Sequence, residues 1–256
     1  VIVVRSVIFN IVAYASFVLI ALLGVPFLIT ERGALYIAKK WASMNVWTMQ
    51  HVAGIKLEVR GLEHVPQGGC LIASKHQSAL ETFAMTPMIG DFAFILKREL
   101  NWVPLFGWYT ARSGMIPVDR GARSAALRQI VHSSRIVLAK GRKIIIFPEG
   151  TRRPPGAEPD YKFGIVQLYA KLDTVCVPVA VNSGLFWPRR SFLRYPGTTV
   201  IEFLPPIPPG LDSHTFRARL QNDIETASNR LMAEARARGE GIPPDQIKMP
   251  DPVVKG

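Results

Sequence analysis

Lys143-Ile144-Ile145-Ile146-Phe147-Pro148-Glu149-Gly150-Thr151-Arg152 is the stretch on which the fold turns. A run of large apolar residues ending in a Gly-containing charged turn reads as a strand buried on both faces of a sheet, the pattern of parallel pairing under covering helices. Outward from it, similar short apolar runs at 57–59, 70–73, 92–96, 115–118, 175–181 and 199–203 predict further strands. Between several of them lie helical patterns, at 79–88, 123–139 and 163–172; in the second, Leu127, Ile130, Val131 and Leu138 recur at helical spacing. Alternating strands and helices predict an α/β fold with a mixed, largely parallel sheet flanked by helices.

The two ends of the chain differ from this middle. Residues 7–29 are almost wholly apolar and about long enough, at roughly 20 residues, to cross a hydrocarbon core as a helix. Gly24 and Pro26 interrupt that run, so an anchor lying in the membrane plane is the alternative to a span. A second helical pattern over 31–51 mixes Trp41 and Trp47 with Lys39 and Lys40, which suits the headgroup layer. The prolines at 205–209 precede a terminal helix over 214–237, with Phe216, Leu220, Ile224 and Leu231 on one side. The expected organisation is a membrane-anchoring helical pair (1–53), an α/β domain (54–238) and a loose tail (239–256).

Lys and Arg number 31 against 19 Asp and Glu, a net charge of +12 that favours a polyanionic partner. Basic residues lie among Trp, Pro and Leu, as in Trp187-Pro188-Arg189-Arg190-Ser191-Phe192-Leu193-Arg194, which reads as a bilayer-facing rim rather than a nucleic-acid surface. No nucleic-acid motif accompanies the charge. Cys70 and Cys176 each sit inside an apolar strand and read as core residues. His51, His64, His132 and His214 are scattered without ligand spacing, so no metal site is expected.

Two segments carry chemistry. In His76-Gln77-Ser78-Ala79-Leu80-Glu81 the imidazole must precede the helix, because residues five apart on one helix lie about 140° around its axis. If Ser78 caps a helix from Ala79, the ring folds back over the first turn, where Glu81 can accept one ring N–H and leave the other nitrogen free to take a proton. In the second segment Gly150 permits a sharp turn that aims Thr151 and Arg152 out of the strand end, and a guanidinium offers the paired donors a phosphate needs. Arg112-Ser113-Gly114-Met115-Ile116-Pro117-Val118-Asp119-Arg120 adds a second phosphate ligand in Arg120, which Asp119 could otherwise engage.

In this order, His76–Glu81, 114–120, 147–152 and Val177-Pro178-Val179-Ala180-Val181-Asn182 resemble the four sequence blocks of the glycerolipid acyltransferases of the 1-acylglycerol-3-phosphate O-acyltransferase type. The resemblance covers residues 1–231, including the helical pair. It implies that His76 is the general base, that Glu81 orients it, and that Gly114, Arg120, Glu149, Gly150, Thr151 and Arg152 hold the glycerol phosphate. It places Pro178 near the acyl donor or the membrane. The reaction so implied moves a fatty acyl group from acyl-CoA or an acyl carrier protein to lysophosphatidic acid, with no cofactor. The expected location is the cytoplasmic face of a bacterial inner membrane. One departure stands out: Glu81 occupies a position that usually holds Asp, which puts the orienting geometry in question.

No Gly-x-Ser-x-Gly elbow is present, so direct attack is expected, with backbone N–H groups at the start of the Ala79 helix as oxyanion donors. The other readings are transfer to a different lysolipid, such as a lyso-ornithine lipid, and an inactive membrane-binding relative.

Overall fold

The computed structural model describes residues 1–119 and 123–249. Seven strands, β1 (Ile55–Arg60), β2 (Leu71–Ser74), β3 (Phe92–Lys97), β4 (Ile116–Val118), β5 (Lys143–Ile146), β6 (Cys176–Val181) and β7 (Gly197–Phe203), form one sheet. Its order is β1-β7-β6-β2-β5-β3-β4. Neighbours run parallel except β6 and β7, which are antiparallel. The three central strands β2, β5 and β6 are buried at every residue, as their unbroken apolar runs require.

Helices cover both faces: α1 (Ile2–Leu23), α2 (Glu31–Thr48), α3 (Leu80–Met88), α4 (Phe106–Arg112), α5 (Arg123–Ala139), α6 (Phe163–Leu172) and α7 (Ser213–Ala237). Side chains alternate along a strand, so β2 sends Ile72 to one core and Leu71 and Ala73 to the other. The first core takes Phe9 of α1, Leu35 of α2 and Leu80 and Met85 of α3. The second takes Val131 and Val137 of α5, Ile165 and Leu168 of α6 and Phe216, Leu220 and Ile224 of α7. Helix α4 escapes sequence reading because seven residues, aromatic and Gly-containing, are too few to display a period.

The N-terminal helix is long and apolar enough to cross a membrane, with mean hydropathy 2.3. It ends at Leu23, six residues before the apolar run does, where Gly24 and Pro26 lead into a 3-10 turn over Val25–Ile29. Thr30 then caps α2 by accepting the Gly33 N–H at 3.0 Å. Although Val4, Ile8, Ile11, Leu19 and Leu22 are exposed on α1, another stripe of the same helix is docked. Ser6 accepts the Arg194 N–H at 2.9 Å, and Asn10 accepts from the Arg194 guanidinium at 3.1 Å.

Two expectations change here. The segment from Trp187 to Arg194 is not a simple bilayer-facing rim. Trp187 meets Phe9 edge-on with ring centres 5.1 Å apart, and the Arg194 guanidinium lies 4.3 Å over the Trp187 ring. Only Phe192 is a large exposed apolar residue in this stretch, and burial lowers the Arg194 pKa to about 10. The segment clasps α1 because an aromatic face and four carbonyl or amide oxygens replace water around the cation. The tail is also not loose where it is described. Ile242 is buried and donates its N–H to Leu185, while Glu240 accepts from the Thr198 N–H at 3.0 Å. Prolines punctuate this stretch without preventing it from packing.

Candidate active site

His76 stands just beyond the C-terminal end of β2, between β5 and β6, at the edge where parallel α/β sheets gather their loops. Its Nδ1 lies 2.7 Å from Glu81 Oε1. The same oxygen accepts the N–H groups of Gln77 at 2.9 Å and Ser78 at 2.8 Å. A carboxylate oxygen only accepts, so the ring donates from Nδ1, and in the neutral imidazole Nε2 is then the acceptor. The Ser183 hydroxyl donates to Glu81 Oε2 at 2.6 Å, so the fully buried carboxylate is satisfied on both oxygens.

The arm of Glu81 thus reaches the ring and both amides of the turn at hydrogen-bond distance. Ser78 Oγ accepts the Leu80 N–H at 3.1 Å, as a cap does, and donates to the Trp187 carbonyl at 2.6 Å. The amides of Gln77, Ser78 and Leu80 are therefore occupied. They are withdrawn from the set of oxyanion donors expected at this helix start.

The rest of His76 is held as firmly. Its ring stacks on Phe147 with centres 3.9 Å apart, its N–H donates to Glu149 Oε2 at 2.9 Å, and its carbonyl accepts the Arg153 N–H at 2.7 Å. Glu149 also faces Lys75 Nζ at 3.1 Å, and Lys75 bonds Glu225 of α7 at 2.6 and 2.8 Å. Tyr161 completes the cluster by donating to Glu225 at 3.0 Å. Burial pushes the Glu149 carboxyl above its ordinary value, opposed by Lys75 and by the His76 amide.

The geometry brings His76 and residues 149–152 to the lining of one cavity, whereas Gly114 and Pro178 are not part of it. Glu149, expected at the phosphate, instead has its carboxylate buried behind the His76 backbone. Gly150 takes φ +65°, the left-handed conformation its turn demands, and is followed by an exposed Thr151 and a half-buried Arg152. Gly114, also expected at the acceptor, precedes β4 at the far end of the strand. A Cβ there would lie 2.0 Å from Glu31 Oε1 and 2.6 Å from Arg142 Nη1, so it leaves room for that ion pair rather than for a ligand. Arg120 lies outside the described residues. Asp119 pairs with Arg98 at 2.9 Å. Pro178 is within β6, in register with Ala73 of β2.

Spacing gave no sign of Ser183, Lys75, Tyr161 or Glu225. A lysine closing a buried strand beside a candidate base was the one available signal, since a charge there needs a partner.

A cavity of about 1130 Å³ opens onto His76, Thr151 and Arg152 and runs beneath Phe17 of α1, Ile37 and Trp41 of α2 and Phe83 of α3. It exceeds the roughly 300–1,000 Å³ usual for small-molecule sites, and most of its lining is apolar. The helical pair is therefore a wall of the site as well as an exposed apolar surface. No group of acidic, His and Cys residues able to hold a metal occurs among the described residues.

An oriented imidazole and an arginine in the lining of one large, mostly apolar cavity suit an α/β enzyme that works on apolar chains. A family model described as Acyltransferase matches residues 56–182. The chain is 36% identical over 199 residues to the 1-acyl-sn-glycerol-3-phosphate acyltransferase of Pseudomonas aeruginosa, covering 78% of this chain and 77% of that one. It is 26% identical over 240 residues to the human 1-acyl-sn-glycerol-3-phosphate acyltransferase alpha, covering 91% and 84%. The chain belongs to this acyltransferase family. The crystal structure of the 1-acyl-sn-glycerophosphate (LPA) acyltransferase PlsC from Thermotoga maritima shares the fold. That likeness has a TM-score of 0.76 at 20% identity, covering 91% of this chain and 96% of that one.

Proposed function

We propose that this enzyme acylates the sn-2 hydroxyl of 1-acyl-glycerol-3-phosphate from an acyl thioester, giving phosphatidic acid. The observation that carries the reading is His76, whose Nε2 has no hydrogen-bond partner among the described residues, in the lining of a cavity whose walls also present Thr151 and Arg152.

His76 Nε2 takes the hydroxyl proton as the oxygen attacks the thioester carbonyl, and Glu81 holds the imidazolium that forms. When the tetrahedral intermediate collapses, the C–S bond breaks and the thiolate takes the proton back from Nε2. No acyl-enzyme intermediate is needed. Arg152 and Thr151 engage the acceptor's phosphate, with Arg120 as a further candidate; fixing the hydroxyl in this way can contribute up to about 7 kcal/mol. Glu149 acts behind the base, as a positioning group. Gly114 is assigned no ligand contact. The apolar cavity receives acyl chain, and the thioester is that of coenzyme A or an acyl carrier protein.

The exposed stripe of α1 supports association with a bilayer. Docking along the helix, from Ser6 to the Tyr109 hydroxyl on the Ala21 carbonyl, favours an anchor seated in one leaflet, and we assign that leaflet to the cytoplasmic face of a bacterial inner membrane. Arg152 has no carboxylate partner among the described residues, which favours a phosphate-bearing acceptor over a lyso-ornithine lipid.

Purified protein in detergent, given an acyl thioester and a panel of lysolipids, tests the reading by thiol release and product mass. Phosphatidic acid from lysophosphatidic acid is the expected product. Thiol release with lyso-ornithine lipid and none with lysophosphatidic acid would reject it.

A further inference from the structure

We propose that Arg189 is a second arm of the anion site at Arg152 and binds a phosphate group of a substrate; this rests on the acyltransferase reading above. Arg189 is tied to both catalytic segments. Two residues before it, the Trp187 carbonyl accepts the Ser78 hydroxyl at 2.6 Å, which fixes the loop to the start of α3. Its own Nη1 donates to the Arg152 carbonyl at 2.9 Å, so the two guanidinium-bearing residues are held side by side. That bond uses one of the five N–H donors a guanidinium carries, and the others have no partner among the described residues.

The surroundings point to an anion. Arg152, Arg153, Arg189 and Arg190 converge here, and none of the four forms an ion pair with a carboxylate among the described residues. Half-burial and the neighbouring positive charges of Arg190, Arg152 and Arg153 lower the Arg189 pKa. Arg190 adopts φ +56°, a conformation that disfavours residues with a Cβ and marks a loop held in place by its contacts. Like charges gathered without counter-charge are unfavourable in the empty protein, and a dianionic phosphate between Arg152 and Arg189 would relieve the repulsion through paired hydrogen bonds. The acceptor's phosphomonoester and the phosphates of a coenzyme A donor share this chemistry.

Steady-state kinetics on the full chain in detergent separate the sources. With acyl-CoA and lysophosphatidic acid, Arg189→Gln should raise one KM about tenfold while kcat stays within about threefold. A rise in the acceptor KM assigns the acceptor's phosphate. A rise in the acyl-CoA KM that disappears with an acyl-pantetheine donor assigns the donor's phosphates. Arg189→Lys keeps the charge and should restore most of the loss, and the affected KM of the wild type should climb with salt more steeply than that of the Gln variant.

Both KM values within twofold of wild type would overturn the proposal. So would equal impairment in the Gln and Lys variants, which would mark Arg189 as a structural tie for the Arg152 backbone. If the Gln variant does not fold, the Lys variant decides alone: a point charge in place of the fork should raise the affected KM about threefold, and no change overturns the assignment. A wild-type enzyme inactive on lysophosphatidic acid would instead remove the functional reading beneath it.

Discussion

Ser183 and Glu81 are 102 residues apart in the chain, yet the Ser183 hydroxyl lies 2.6 Å from Glu81 Oε2. The carboxylate that orients the candidate base is thus itself oriented by the loop after β6, and both partners are fully buried. Removing the hydroxyl leaves Glu81 with the His76 ring and two amides but frees its second oxygen. Ser183→Ala should lower kcat about three- to tenfold with little change in either KM, because it loosens an orienting group without touching substrate. Unchanged kcat would show that the remaining donors suffice.

His76→Ala should reduce kcat by about 10²–10⁴-fold, the usual contribution of general acid–base catalysis. The side chain is mostly buried, stacked on Phe147 and bonded to buried Glu81, so the melting temperature should also fall, by a few degrees. Near-normal turnover would reject its role as base.

Glu81→Asp shortens the arm by one methylene in a site built for the longer one. Oε1 serves His76 Nδ1 and two amides at once, so drawing it back lengthens three hydrogen bonds together. A kcat loss of about ten- to a hundredfold is expected, since changing a group that orients a reacting residue commonly costs that much. A fully active Asp variant would show that the His76 loop moves to follow the carboxylate.

Arg152→Ala should raise the KM for lysophosphatidic acid about tenfold or more, with a smaller effect on the donor KM. If acceptor affinity is unchanged in initial-rate measurements, phosphate binds elsewhere.

Lys75 is the only cation bonded to both Glu149 and Glu225 among the described residues. Lys75→Met should destabilise the fold by about 3–5 kcal/mol, as breaking a buried ion pair does, and calorimetry would detect it. Glu149 adds a pH dependence. Its carboxyl is raised by burial from an ordinary value near 4.5, so its stabilising contribution is complete at low pH and is lost as pH climbs through the folded-state value. The melting temperature of the wild type relative to Glu149→Gln should therefore fall as pH rises above about 4.5. A difference that is flat or grows with pH would contradict the shift.

Much of the architecture is legible in short windows of the chain. Runs such as Ile144-Ile145-Ile146-Phe147 announce strands covered on both faces, since burying them is the dominant favourable term whichever neighbours do the covering. The bend at Gly150 and the reach from His76 to Glu81 are also local, set by backbone sterics over a few residues. Local signals mislead where a segment has two uses. The apolar run of α1 speaks only for an anchor, whereas Ser6 and Asn10 seat it on Arg194 and Phe17 roofs the cavity. Prolines near the C-terminus suggest a loose end, but Ile242 finds a place in the core.

What the sequence by itself determined was the kind of sheet, the candidate base with its carboxylate, and the turn that leads to Thr151 and Arg152. These follow from interactions between residues close in the chain, where spacing fixes geometry. The tertiary structure decided which groups hold that base in place and what surrounds it: Ser183 on Glu81, the Lys75–Glu149–Glu225 cluster behind His76, Arg189 against Arg152, and a cavity closed by the N-terminal helices. Partners tens to about 190 residues apart leave no mark in spacing or composition, because they meet only when the sheet order has brought β2, β5 and β6 side by side.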